Sequence, residues 1–78
     1  MRIIITLELE NSKNACDVQV AEEQRITDTI QVLKDNLSIF KNIGEITYVR
    51  EKESRRKIST ELTYAQANIY SGSELVIG

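Results

Sequence analysis

Few side chains in this sequence are equipped for catalysis, because its 78 residues include no histidine and only one cysteine. Histidine is the commonest general base and metal ligand, and a single cysteine cannot complete a zinc site. Cys16 could act as a nucleophile or redox sensor, but it has no histidine or adjacent lysine to favour the thiolate, so a buried apolar role is expected. The sequence therefore predicts no catalytic residue, no cofactor and no metal site, and we do not expect an enzyme.

A basic run near residue 50 is the second feature with potential chemistry. Its eight residues, 50–57, carry five positive and two negative side chains. The positive members are Arg50, Lys52, Arg55, Arg56 and Lys57. Such a cluster could bind phosphate or an acidic protein surface, or it could be the solvated tip of a hairpin. Because it contains no aromatic residue and the whole chain has a net charge of −2, nucleic-acid binding is not expected.

The composition predicts a single small domain spanning residues 1–78. Hydrophobic residues make up 41% of the chain, which is enough to build a core. The longest apolar run, residues 3–5, is far shorter than the ~20 residues that a membrane helix needs, and the N-terminus carries no recognisable secretion signal. One cysteine cannot form an internal disulfide, so we expect a cytoplasmic protein without direct membrane insertion.

Two segments of alternating polarity open the chain. Residues 2–9 and 15–20 both alternate apolar and polar side chains, which predicts two strands. Residues 10–14 between them contain asparagine and serine, which favour turns, so the first 20 residues are predicted to form a β-hairpin. The predicted inner face consists of Ile3, Ile5, Leu7, Cys16, Val18 and Val20.

The apolar period then changes from that of a strand to that of a helix. Four side chains fall on one helical stripe: Ile26, Ile30, Leu33 and Leu37. This spacing predicts a helix over residues 25–36, with Thr27 as an alternative N-cap. Residues 38–44 have no clear period and are predicted to form a loop in which Phe40 and Ile43 cover the bottom of the core.

The second half of the chain predicts shorter elements. They are a third strand at 46–50, a charged turn at 51–57, a short strand at 57–59, an irregular or short-helical crossing at 62–72 and a closing strand at 73–77. Strands around one helix favour an α+β fold with the helix across one face of a mixed sheet. If the first and last strands pair in parallel, the right-handed crossover rule makes this a β-grasp. The predicted core comprises Ile3, Ile5, Leu7, Val18, Val20, Ile26, Ile30, Leu33, Ile46, Ile69, Leu75 and Ile77.

Three parts of the sequence resemble ubiquitin-like proteins over nearly the whole chain: the Met1-Arg2-Ile3-Ile4-Ile5 opening, the Ile26/Ile30/Leu33 helix and the closing segment. Within them, the spacing Ile69-x-x-Gly72-x-x-Leu75-x-Ile77 resembles the YukD/EsaB group, small ubiquitin-like proteins associated with type VII (WXG100) secretion systems. The resemblance implies a ubiquitin-like β-grasp and a non-catalytic module that docks onto another protein. It further implies an accessory role in a Gram-positive type VII secretion system, with the secretion machinery or its membrane ATPase as the partner.

Gly78 bears on an alternative function. Conjugating ubiquitin-like proteins and the related sulfur carriers are activated at a diglycine on a flexible tail. Here a single glycine directly follows the predicted last strand, so a covalent modifier or sulfur carrier is disfavoured. A ubiquitin-like domain that serves an unrelated assembly is the third possibility.

Strand alternation also predicts an outer sheet face, directed away from the helix. Its expected members are Ile4, Thr6, Thr47, Val49 and Val76. The first, last and third strands are neighbours in a β-grasp, so these side chains are expected to be adjacent, where the resemblance places the recognition surface of ubiquitin. We predict a protein-binding surface here, with the basic residues Arg50, Arg55, Arg56 and Lys57 as its electrostatic rim. The alternative is an ordinary scatter of exposed aliphatic residues.

Overall fold

The computed structural model describes residues 1–10, 14–41 and 43–77. Along the chain they form β1 (Arg2–Leu9), β2 (Ala15–Ala21), α1 (Ile26–Asn36), a short 3₁₀ helix (Ser38–Phe40), β3 (Tyr48–Glu51), β4 (Lys57–Ser59) and β5 (Glu74–Ile77). The predicted order of strands and helix is confirmed, with boundaries shifted by a few residues. The centre of the predicted first turn, residues 11–13, lies outside the described residues.

The five strands form one mixed sheet in the order β2-β1-β5-β3-β4. The central pair, β1 and β5, is parallel and sets Leu7 opposite Leu75. The other pairs, β1–β2, β3–β4 and β3–β5, are antiparallel. The predicted parallel pairing of the first and last strands is therefore confirmed, and the fold is an α+β β-grasp with one α-helix among the described residues.

Helix α1 begins at Ile26, and its first turn is capped by backbone rather than by a side chain. Arg25 occupies the N-cap position and forms no side-chain cap. Instead the amides of Ile26 and Thr27 donate to the carbonyls of Leu62 and Thr60, at 3.0 and 2.9 Å. These carbonyls satisfy donors that a helix start otherwise leaves unpaired. The prediction of Thr27 as an alternative N-cap is therefore wrong.

Helix α1 ends at Asn36, one residue before Leu37, the last member of the predicted apolar stripe. Leu37 has an extended backbone at the C-cap and an exposed side chain, so it does not continue the buried stripe. Phe40, in the 3₁₀ helix that follows, is fully buried, and Ile43 packs partly buried against the core. The prediction that these two residues cover the core is confirmed, and residue 42 of the predicted loop lies outside the described residues.

One apolar core fills the space between the sheet and α1. Ten of the predicted core residues are buried, and the remaining two, Val18 and Ile46, pack against them partly exposed. The buried residues absent from the predicted core are Phe40, Val49, Ile58, Tyr64 and Ala67. Tyr64 and Ala67 belong to the irregular crossing, so that segment closes one side of the core.

The third strand has the opposite phase to the predicted one. β3 begins at Tyr48, and Val49 is fully buried because it pairs with the buried Ile58 of β4. The prediction that Val49 points outward is therefore wrong. The segment Ile46-Thr47-Tyr48-Val49 has an apolar side chain in both phases, so alternation alone does not fix which set faces the core.

Candidate protein-docking face

The outer face of the sheet has a row of side chains with opposite charges at its two ends. The strand registers set Glu8 of β1 beside Val76 of β5, Val76 beside Arg50 of β3, and Arg50 beside Lys57 of β4. Neighbours in such a row have Cβ atoms about 4.5–5.5 Å apart, so their side chains interact directly. Within this row, the aliphatic side chain of Val76 therefore lies between an acidic and a basic region.

Tyr48 contacts two cations in the basic region. The Arg50 guanidinium carbon is 5.5 Å from the centre of the Tyr48 ring, and the Lys57 ammonium is 4.2 Å from it. Both distances fit a cation–π contact. Tyr48 was not among the predicted site residues, although its position two residues before Arg50 in a strand places both on one face. We call Tyr48, Arg50, Lys57 and Val76 the Tyr48 cluster.

Ion pairs across the strands connect the two charged regions. The Lys52 ammonium lies 2.9 Å from a carboxylate oxygen of Glu8 and 3.7 Å from one of Glu74. The pKa of Lys52 is raised, mainly by its hydrogen bond to Glu8. The Arg50 guanidinium and the Glu10 carboxylate are 3.8 Å apart. These pairs are exposed, so they organise the face more than they stabilise the fold.

Thr6 lies on the outer face as predicted, but it belongs to the acidic region. Its hydroxyl donates to the Asp17 carboxylate at 2.6 Å, and its other strand neighbour is Glu74. Thr47 lies outside β3 and lines a cleft with Ile30 of α1 and Thr60 instead. The prediction that Thr47 joins the outer face is therefore wrong.

The predicted apolar centre of this face does not assemble. Ile4 is 54% exposed on the outer face, but Val76 lies opposite Glu8, four residues farther along β1. At about 3.3 Å per residue, roughly 13 Å of strand separates the two positions. Since Val49 is in the core, the expected adjacency of Ile4, Val49 and Val76 is wrong.

The predicted basic rim divides into three roles. Arg50 and Lys57 contact the Tyr48 ring, as described. Arg56 instead donates to the Ala67 carbonyl at 2.8 Å and lies 3.5 Å from the Glu51 carboxylate, so it ties the charged turn to the irregular crossing. Arg55 sits in the same turn with a φ of 60°, a left-handed conformation that is costly for arginine. Arg55 nevertheless lines a shallow cleft with Arg50 and Val76, so of the predicted basic rim Arg56 is the member that is engaged elsewhere.

Cys16 has the environment of a packing residue. Its side chain is half-buried against the core, and burial, followed by the nearby Asp17 carboxylate, raises the pKa of the thiol. A raised pKa reduces the thiolate fraction at neutral pH and so reduces reactivity. Gly78, on which the modifier alternative depends, lies outside the described residues.

Two searches of the described residues bear on other kinds of site. No group of three or more cysteine, aspartate and glutamate side chains in ranges 1–10, 14–41 and 43–77 is placed to hold a metal ion. Within the same ranges, no helix combines the length and apolar character needed to cross a bilayer.

Comparisons with known proteins relate this chain to solved structures. No family model matches it, and no curated protein matches its sequence. Caldiarchaeum subterraneum ubiquitin superimposes with a TM-score of 0.71 at 13% identity, covering 99% of this chain and 91% of that one. The UBL domain of Plasmodium falciparum Dsk2 gives a TM-score of 0.65 at 10% identity and covers 100% of both chains.

A third similar structure comes from a different setting. A chain of the toluene 4-monooxygenase HD complex with the inhibitor 4-bromobenzoate gives a TM-score of 0.66 at 11% identity, with 100% of both chains covered. Likeness at these identities shows the fold alone, and one fold serves many functions. The function must therefore be argued from the surface, whereas the architecture is established: this chain has the ubiquitin-like β-grasp fold.

Proposed function

We propose that this chain is a non-catalytic, cytoplasmic protein-docking module that binds its partner through the Tyr48 cluster. The observation that carries the proposal is that the Arg50 guanidinium and the Lys57 ammonium both lie within cation–π distance of the Tyr48 ring, with Val76 beside Arg50. Tyrosine and arginine are enriched at binding hot spots because they offer a large contact area together with directed polar groups. The cluster replaces the aliphatic centre expected from sequence.

The charges of the cluster favour an acidic partner segment. Among the described residues, no ion pair involves Lys57. The Arg50–Glu10 contact of 3.8 Å is longer than a hydrogen bond, so a partner carboxylate can replace it. The Tyr48 ring and Val76 add apolar area beside these cations. An acidic segment with one apolar side chain would match this arrangement.

The test is capture of the partner from extract of the native cell, with purified variants as bait. Tyr48→Ala should weaken capture by about 2 kcal/mol or more, roughly 30-fold, since it removes the central contact. Ser59→Ala is the matched control, because Ser59 pairs with Tyr48 in the register but carries no aromatic or charged group. Ile4→Glu, on the same face but outside the cluster, should also capture normally.

Reversing the charges tests the electrostatic part. Arg50→Glu with Lys57→Glu should reduce capture at low salt, and the difference from the parent chain should narrow as ~1 M salt screens the charges. Equal capture by the parent chain, Tyr48→Ala and the charge-reversed variant, all folded by circular dichroism, would overturn the Tyr48 cluster as the docking site.

A more specific assignment rests on the resemblance to the YukD/EsaB group. We propose a type VII secretion system as the setting, with the machinery or its membrane ATPase as the partner. The motif residues Ile69, Leu75 and Ile77 are buried, so the motif supports the fold more directly than the partner. Neighbouring genes for WXG100 substrates and an FtsK/SpoIIIE-type ATPase, and direct binding to the cytoplasmic part of that ATPase, are the expected results. Absence of both would contradict this setting and leave the docking role intact.

A further inference from the structure

Strand β2 forms one edge of the sheet, so one of its two hydrogen-bonding sides faces no other strand of the described residues. Its only strand partner among the described residues is β1. At the ends of this pair, the Leu9 amide donates to the Asn14 carbonyl at 3.1 Å and the Glu22 amide donates to the Met1 carbonyl at 2.9 Å. Hydrogen-bonded pairs alternate in an antiparallel ladder, so every second residue of β2 directs its amide and carbonyl away from β1. Those residues are Ala15, Asp17, Gln19 and Ala21, and the Ala21 carbonyl already accepts from the Gln24 amide at 3.0 Å, so the first three are the ones considered for pairing.

The two edges of the sheet differ in how well they are protected against pairing. β4, the opposite edge, has three residues and begins with Lys57. β2 has seven residues, no lysine and no proline, and Asp17 is its one charge. Short length, lysine and proline are the usual features that keep an edge strand from accepting a further strand. β2 therefore has the features of an edge that can accept a further strand.

An apolar groove lies beside this edge, between β2 and α1. The side chains that line it include Val18, Val20, Gln24, Thr29, Val32 and Leu33. The side chain of Val32 on α1 is 55% exposed although it is apolar, and Val18 is half-buried on the inner face of β2. A strand added to β2 would place every second side chain over these two valines.

The charges around the groove indicate the chemistry of its occupant. Asp28 and Asp35 lie one turn before and one turn after Val32 on α1, so all three share a helix surface. Asp17 supplies a further carboxylate on the outer face of the same edge, where it accepts from the Thr6 hydroxyl. We propose that β2 and this groove bind an extended segment of a partner protein that has alternating aliphatic residues and lysine or arginine at its ends. The segment would add a sixth strand to the sheet by pairing with Ala15, Asp17 and Gln19.

A second copy of this chain fits the edge less well. It would bring its own Asp17, Asp28 and Asp35 to the same interface, whatever the register. Like charges placed opposite each other destabilise a strand pair, whereas a basic segment relieves the same charges. Self-association through β2 is therefore an outcome that the experiment must distinguish.

The test uses a short synthetic peptide of alternating valine and threonine with lysines at both ends, and the same peptide with glutamates in place of the lysines. Binding is followed by amide chemical shifts and hydrogen exchange of the isotope-labelled chain. The lysine peptide should shift and protect the amides of Ala15, Asp17 and Gln19, and the glutamate peptide should bind at least about tenfold more weakly. The double variant Asp28→Lys with Asp35→Lys should reverse that preference.

Backbone pairing is tested separately with Gln19→Pro, which removes one outward amide at a position where an edge strand tolerates proline. Gln19→Ala keeps the amide and is the matched control. Binding that is equal for the two variants, both folded, would overturn strand addition. So would shifts confined to the Tyr48 cluster, or a concentration-dependent dimer of the free chain that protects the β2 amides. Tyr48→Ala should leave peptide binding unchanged, so failure of this site and failure of the Tyr48 cluster give different results.

Discussion

The two faces of one sheet use neighbouring residues of the same strands for different purposes. On β1, Ile5 and Leu7 are fully buried on the inner face, whereas Ile4 and Glu8 lie on the outer face. The inner face contains aliphatic side chains in contact with α1, and the outer face contains charges paired across strands. Burial therefore restricts the inner positions to apolar residues, while the outer positions can vary with the partner.

The largest expected effect separates two isoleucines that are adjacent in sequence. Ile5→Ala should lower the free energy of unfolding by about 2–5 kcal/mol, because the side chain is fully buried and its removal leaves a cavity. Ile4→Ala should change it by no more than about 0.5 kcal/mol, since Ile4 is on the exposed face. Urea unfolding of both variants measures the difference. Equal costs would mean that the two faces are not energetically distinct.

A pH-dependent effect is expected from the buried Tyr64. Burial raises the pKa of its phenol to about 12, from an ordinary value of 10.0, and the nearby Thr29 hydroxyl lowers it only in part. Between these values the unfolded chain loses the proton while the folded chain keeps it. Stability should therefore fall as pH rises from about 10 to about 12, by at most about 1.4 kcal/mol per pH unit.

Tyr64→Phe is the variant that isolates this effect. It should unfold with a weaker pH dependence over the same range, because phenylalanine has no proton to lose. Urea midpoints of the two proteins at several alkaline pH values make the comparison, and other titrating groups cancel in the difference. Parallel curves would show that the Tyr64 hydroxyl is not held protonated by the core.

A smaller effect concerns the charged turn between β3 and β4. Arg55→Gly should raise stability by up to about 1 kcal/mol, because glycine adopts the left-handed conformation at φ 60° without the steric cost that arginine bears. Asn68→Gly, at φ 56°, is a useful reference, since asparagine already tolerates this region. A gain at Arg55 larger than that at Asn68, by thermal unfolding, is expected. Destabilisation at Arg55 would indicate a contact of its side chain that matters for the fold.

The smallest effect belongs to the ion pairs of the outer face. Lys52→Gln removes the contacts with Glu8 and Glu74, yet it should lower the unfolding midpoint only slightly, because the ammonium is exposed to solvent. The difference should vanish in ~1 M salt. A large, salt-insensitive loss would contradict the view that this face contributes little to stability.

The sequence predicts the fold well where one periodicity dominates. Most apolar residues of β1, α1 and β5 fall in one phase, with Ile4, Val32 and Val76 as the exceptions, so both the type of these elements and their buried face follow from local pattern. β3 has apolar residues in both phases, and its orientation is decided by the pairing of Val49 with Ile58, a contact that no local window contains. The buried Tyr64 and Ala67 are in a segment without a period, so alternation could not identify them.

The candidate site was predicted less completely than the fold. Val76, Arg50 and Lys57 were identified because strand alternation and charge are local properties. Tyr48 was missed because its role depends on the phase of β3. Arg56 was assigned to the wrong group because its hydrogen bond to the Ala67 carbonyl joins distant parts of the chain. A site that is built from several strands depends on the register of their pairing. That register is set by contacts across the whole sheet and not by local sequence.

The parallel pairing of β1 with β5 has a consequence for synthesis in the cell. A nascent chain exposes β1, β2 and α1 long before β5, yet the centre of the sheet is incomplete until Leu75 can lie beside Leu7. Native closure of the core must therefore wait until residue 77 leaves the ribosome, and during that interval β1 presents an unpaired side. Contacts between such distant segments also slow folding relative to local ones. A stalled chain that lacks β5 should accordingly be a target for chaperones rather than a partly active protein.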